Sequence, residues 1–68
     1  MHNMDFIDSI LKLLKDSRWH SIEEVEMNIS VPSQKIRYAL GFLNEQQFVN
    51  MQNDRIIITA KGLKLIEL

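Results

Sequence analysis

Little in this chain could make or break a covalent bond. None of its 68 residues is a cysteine, which removes thiolate nucleophiles, disulfides and thiolate zinc sites together. Its two histidines, His2 and His20, are 18 positions apart and one is terminal, so they do not read as a metal pair. The carboxylate pairs Asp5–Asp8 and Glu23–Glu24 fall at expected helix starts, where capping and the helix dipole already account for them. No Gly-rich phosphate loop is present, and no hydroxyl has an evident base beside it. No catalytic residue, cofactor or metal is therefore expected, and the chain does not read as an enzyme. What remains is recognition chemistry. From Met27 to Asn44 there is no acidic residue, while Lys35 and Arg37 supply positive charge; the acids gather at Glu23, Glu24, Glu26 and towards both ends. Eight Lys+Arg against nine Asp+Glu give a net charge of −1. Any contact with a polyanion must come from local charge placement, not from bulk attraction.

A chain of this length holds one domain, 1–68, and buries only about 60% of the surface it exposes when unfolded. With 46% hydrophobic and 25% charged residues it has the composition of an ordinary globular domain, not of a disordered segment. No apolar run approaches the roughly 18 residues of a membrane helix. The opening MHNMDFIDS lacks the basic flank and apolar block of a signal peptide, so a cytoplasmic location and no membrane contact are expected.

Periodicity divides the chain into short elements. Phe6, Ile7, Ile10, Leu11, Leu13 and Leu14 form a stripe roughly 160° wide on a first helix from Met4 to Lys15, with Asn3 or Asp5 as its cap. Arg18-Trp19-His20 leaves room for a minimal strand. Ser21-Ile22-Glu23-Glu24 is a capping box opening a second helix over residues 22–28. A third helix runs from about Pro32 to Gln46, with Ile36, Ala39, Leu40 and Leu43 within about 100° of arc as its buried face. Ser33, Gln34, Arg37, Gly41 and Asn44 point the other way. Residues 48–51 and 56–59 flank Gln52-Asn53-Asp54-Arg55 as a hairpin with Asn-Asp at its tip, pairing Met51 with Ile56 and Val49 with Ile58. Thr59 caps a last helix from Ala60 to Glu67, with Leu63 and Ile66 inward.

This order of helix, strand, helix, turn, helix, hairpin and helix resembles the winged helix-turn-helix family, in particular small prokaryotic transcription regulators. The resemblance covers roughly residues 6–68. It is carried by Ile10-Leu11-Lys12-Leu13-Leu14, Trp19-His20-Ser21-Ile22-Glu23-Glu24-Val25, Ile36-Arg37-Tyr38-Ala39-Leu40-Gly41-Phe42-Leu43 and Ile58-Thr59-Ala60-Lys61-Gly62. It implies a mainly helical α+β fold: a three-helix core, a small antiparallel sheet whose hairpin (48–59) is the wing, and a short C-terminal helix. It also implies that the third helix enters the major groove of double-stranded DNA. The DNA-binding residues so implied are Ser33, Gln34, Arg37 and Tyr38 towards base edges, with Lys35 and Arg55 on phosphates.

The family's pattern has a small residue where Glu26 stands, often Gly where Ser30 stands, and Ser or Thr where Pro32 stands. Glu26 is therefore expected to swing outward and Ser30 to take up a less favourable backbone. Trp19 is expected to plug the junction between sheet and helices, and His20 to be a half-exposed strand residue without a role in preference to a pH-sensitive contact. Tyr38 and Phe42, at i and i+4, form a patch for a protein partner if both are exposed. The wide stripe of the first helix, with Leu65 and Leu68, suggests a homodimer, which would set two third helices about 34 Å apart. A winged helix acting purely as a protein-binding adaptor is the alternative function.

Overall fold

A computed structural model describes residues 5–67. The expectations placed on His2, Asn3, Met4 and Leu68 lie outside the described residues. The elements are α1 (Asp5–Leu13), β1 (His20–Ser21), α2 (Ile22–Asn28), α3 (Ser33–Glu45), β2 (Val49–Gln52), β3 (Arg55–Ile58) and α4 (Ala60–Ile66). The strands form one antiparallel sheet in the order β1-β3-β2. The chain is thus a small α+β domain of four helices and a three-stranded sheet.

The ends of the helices follow from local hydrogen bonding. The amide of Leu14 is shared between the carbonyls of Ile10 and Leu11, and Ser17 (φ 60°) turns the chain out of α1. Regular helix therefore stops at Leu13, short of the expected Lys15, although Leu14 stays buried. Pro32 sits at the N-cap of α3 and not inside it; it has no side chain with which to cap, and its carbonyl accepts from the amides of Lys35 and Ile36. At the other end Gln47 takes φ 66°, its amide donates to Asn44, and the amide of Phe48 donates to the Leu43 carbonyl at 2.9 Å. That is a Schellman stop with glutamine in the place glycine usually holds.

The hairpin pairs Met51 with Ile56 and Val49 with Ile58, as the alternation of apolar residues requires. Of the two tip residues only Asn53 takes positive φ, at 55°. The strand β1 adds to the outer edge of β3, with His20 opposite Ile56 and Ser21 opposite Arg55. Ser30 does not adopt positive φ, so the turn between α2 and α3 carries no left-handed strain.

One core joins every layer: Ile10, Leu11 and Leu14 of the first helical segment, Ile22 and Val25 of α2, Ile36, Ala39, Leu40 and Leu43 of α3, and Val49, Ile56 and Ile58 of the sheet. The four residues expected to face inward from α3 are all buried. The apolar stripe of α1 is largely used within the molecule, since Phe6, Ile7 and Leu13 pack against this core beside Leu63 and Ile66 of α4. Thr59 caps α4, accepting from the Gly62 amide at 3.1 Å while its hydroxyl donates to the Gln47 carbonyl at 2.7 Å. That cap ties the last helix to the corner between α3 and β2. Among the described residues no polar or charged side chain is buried, and none leaves a buried polar atom without a partner.

Trp19 is not the expected plug. It is 42% exposed and lies against the hairpin turn, sharing a shallow depression with Gln52, Asn53, Asp54 and Arg55. Pairing of β1 begins only at His20, so Trp19 falls outside the ladder, whereas Ile22 and Ile56 are buried in the core.

Candidate nucleic-acid interface

The exposed side of α3 carries five of the six residues singled out from the sequence. Ser33, Gln34, Lys35, Arg37 and Tyr38 occupy its first half, and all are exposed. Arg55 stands apart at the start of β3, exposed beside the hairpin turn and Trp19. No acidic residue occurs on α3 before Glu45.

Contacts divide the five. Towards α2, one oxygen of Glu26 accepts from the Ser33 hydroxyl at 2.9 Å and from Arg37 Nε at 3.0 Å. Glu26 therefore does not swing outward as expected. Its side chain is 20% exposed against 62% for Arg37, and it bridges α2 to α3. An Nε contact leaves the two terminal nitrogens of the guanidinium free to form a fork. Towards α1, the Lys35 ammonium sits 5.9 Å from the centroid of the Phe6 ring, within range of a cation–π contact. Gln34 and Tyr38 stand between these two groups. Tyr38, at 83% exposed, is the most exposed aromatic side chain of the described residues.

The flank of α3 nearest the hairpin is acidic. A depression of about 220 Å³ is lined by Ser21, Ile22, Glu23, Glu26, Arg37 and Asp54, in which Arg37 is the one cation. The opposite flank is apolar, lined by Phe6, Ile7, Lys35, Tyr38, Ala39 and Phe42.

At His20 the structure departs from the preferred expectation of a residue without a role, and the partners it finds were not anticipated. His20 Nε2 lies 2.9 Å from an Asp16 carboxylate oxygen, and His20 Nδ1 lies 3.0 Å from a Glu24 oxygen. Its side chain is only 12% exposed. A neutral imidazole donates from one nitrogen; facing two carboxylates, the ring satisfies both only when protonated. The Asp16 hydrogen bond raises the His20 pKa above 6.5, burial works against that rise, and Glu24 adds to it. The Asp16 pKa is lowered below 3.8 by the His20 hydrogen bond and by the Arg18 amide. Ser21 still caps α2 through the Glu24 amide, but the Glu24 carboxylate turns to His20, not back to the cap. The spacing Asp16-x-x-x-His20-x-x-x-Glu24 is the signal that could have exposed this clasp.

The clasp makes stability pH-dependent. The His20 contribution is fully present below pH 6.5 and is lost as pH rises through the raised histidine value. The Asp16 contribution is present above pH 3.8 and is lost as pH falls through the lowered carboxylate value. Thermal midpoints of the protein and of His20→Gln should therefore differ most between pH 3.8 and 6.5, with the gap closing on the alkaline side. A gap that widens with rising pH would contradict the clasp.

Among the described residues no helix is long and apolar enough to cross a membrane. No protein-family model, no curated protein and no solved structure matches the chain, so a functional reading rests on the surface of α3 itself.

Proposed function

We propose that the protein is a winged-helix DNA-binding domain acting as a small transcription regulator, with α3 entering the major groove of double-stranded DNA and the β2–β3 hairpin as its wing. The observation that carries this reading is the acid-free, exposed first half of α3. A single helix fits the major groove, and residues near its N-terminus reach base edges. Gln34 offers an amide suited to adenine. Arg37, held through Nε, presents its free nitrogens to guanine O6 and N7. Ser33, Lys35 and Arg55 serve as phosphate or adaptable contacts, and Tyr38 as a packing contact.

Binding of this kind weakens as salt rises, because each phosphate contact releases a counterion. Duplex affinity measured by fluorescence anisotropy between about 50 and 200 mM salt should fall with a linear log–log slope. Arg37→Ala should cost about 1–3 kcal/mol of specific binding. Arg37→Lys, which keeps the charge and loses the fork, should retain the slope but lose sequence preference. Absence of duplex binding at the low-salt end removes the proposal.

A second reading, a protein-binding adaptor with no nucleic-acid role, is favoured by the exposure of Tyr38 and Phe42 (83% and 45%) on adjacent turns of the same helix. Under it, Tyr38→Ala abolishes a protein contact while duplex affinity is negligible at any salt.

A further inference from the structure

We infer that α3 also forms a self-complementary interface, pairing antiparallel with α3 of a second copy about a two-fold axis at the level of Leu40. Four exposed residues, Lys35, Tyr38, Phe42 and Glu45, lie within about 80° of arc on this helix. Their spacing is symmetric about position 40. At 1.5 Å per residue, Lys35 and Glu45 stand about 7.5 Å to either side of that level, and Tyr38 and Phe42 about 3 Å. Reversing the helix therefore exchanges Lys35 with Glu45 and Tyr38 with Phe42. An isologous interface needs this correspondence, in which Lys35 of one copy meets Glu45 of the other and Glu45 meets Lys35.

Shape agrees with charge. Tyr38 and Phe42 form an i, i+4 ridge with a depression on each side. One is the apolar trough lined by Phe6, Ile7, Lys35 and Ala39; the other, of about 380 Å³, surrounds Gly41, Arg37 and Glu45. A ridge flanked by grooves is the element of helix–helix packing. A Cβ at Gly41 would meet nothing within 4 Å, so a neighbouring helix can approach the backbone there. Among the described residues neither Lys35 nor Glu45 forms an ion pair, which leaves both charges for the second copy. Any other partner would have to supply its own matched pair; a second copy brings it by symmetry.

The interface shares Lys35 and Tyr38 with the duplex-facing surface, so self-association and duplex binding exclude one another if the proposed function holds. The dimer itself does not depend on that function. Sedimentation equilibrium of the full chain without DNA tests it. The protein should show a monomer–dimer equilibrium. Lys35→Glu alone and Glu45→Lys alone should each weaken it at least about tenfold, because each places like charges together. An equimolar mixture of the two variants should associate as well as the parent, since both cross-pairs are then opposite in sign. Tyr38→Ala should also be monomeric, with an unchanged circular dichroism spectrum. A parent chain that stays monomeric up to about 1 mM, leaving the stripe to some other protein, overturns the inference, and so does a mixture that fails to recover. Adding duplex to the dimer separates the two ideas: dissociation supports competition, whereas an intact dimer with no bound duplex defeats the DNA reading alone.

Discussion

Replacing Leu40 with alanine is expected to remove about 2–5 kcal/mol of stability, about half of what a domain of this size possesses. At about 0.05–0.15 kcal/mol per residue, the whole chain is worth about 3–10 kcal/mol. Leu40 is fully buried at the centre of α3, and it sits in the single core shared with α1, α2 and the sheet. Truncation loses the transfer energy of one methine and two methyl carbons and opens a cavity that four layers must close together. The same helix supplies the control: Tyr38, two residues earlier, is solvent-facing in the monomer, and at concentrations too low for self-association its truncation should move the urea midpoint little. Equilibrium urea unfolding of both variants checks the pair. Similar losses for Leu40→Ala and Tyr38→Ala would mean that α3 does not pack through the face described.

The expected orientation of α3 was readable because its aliphatic residues keep a 3.6 period: Ile36, Ala39, Leu40 and Leu43 are all buried, and the five positions assigned outward are all exposed, with the aromatic Tyr38 and Phe42 left on the outer side. The hairpin register was readable for a similar reason, since a slip of one residue would have turned Ile56 and Ile58 to solvent. Trp19 was misjudged. A large aromatic next to a strand reads as core, but the strand is two residues long and its pairing starts after Trp19.

The side chains that set the electrostatics were harder to read, because they depend on which elements meet. Glu26 and Arg37 are eleven positions apart, and only the packing of α2 on α3 reveals that one carboxylate holds both Ser33 and Arg37. Read along the chain, Arg37 lies in a stretch from Met27 to Asn44 without an acid. In space the cation is matched on one side and free on the other, which favours a directed fork over general attraction to phosphate. His20 was likewise judged from its own position in a strand. Its partners come from the turn after α1 and from α2, and neither strand periodicity nor composition points to them.

Gly62→Ala is expected to destabilise the protein by about 1–3 kcal/mol, although local propensity alone argues the opposite. In an exposed helix interior the change from glycine to alanine gains about 0.5–1 kcal/mol by removing freedom from the unfolded chain. Gly62 is not exposed. An added Cβ would collide with the carbonyl oxygen of Phe48 and lie 2.7 Å from Ile58 Cγ1. That carbonyl cannot retreat cheaply, because the Thr59 amide donates to it at 3.0 Å. The accommodating movement must come from α4, which has only seven residues and is held by the Thr59 cap and the packing of Leu63 and Ile66. Gly41→Ala isolates the propensity effect in the monomer, at concentrations too low for α3 to pair with a second copy, since nothing within the chain lies near that position and the helix there is exposed. Thermal and urea midpoints should therefore move in opposite directions for the two glycines, down for Gly62 and up for Gly41. Faster amide exchange in Gly62→Ala should be concentrated in α4 and at the Gln47–Phe48 corner. A stabilised Gly62→Ala protein would mean that the last helix does not rest on the backbone of Phe48, and the corner that fixes the hairpin against α3 would have to be drawn differently.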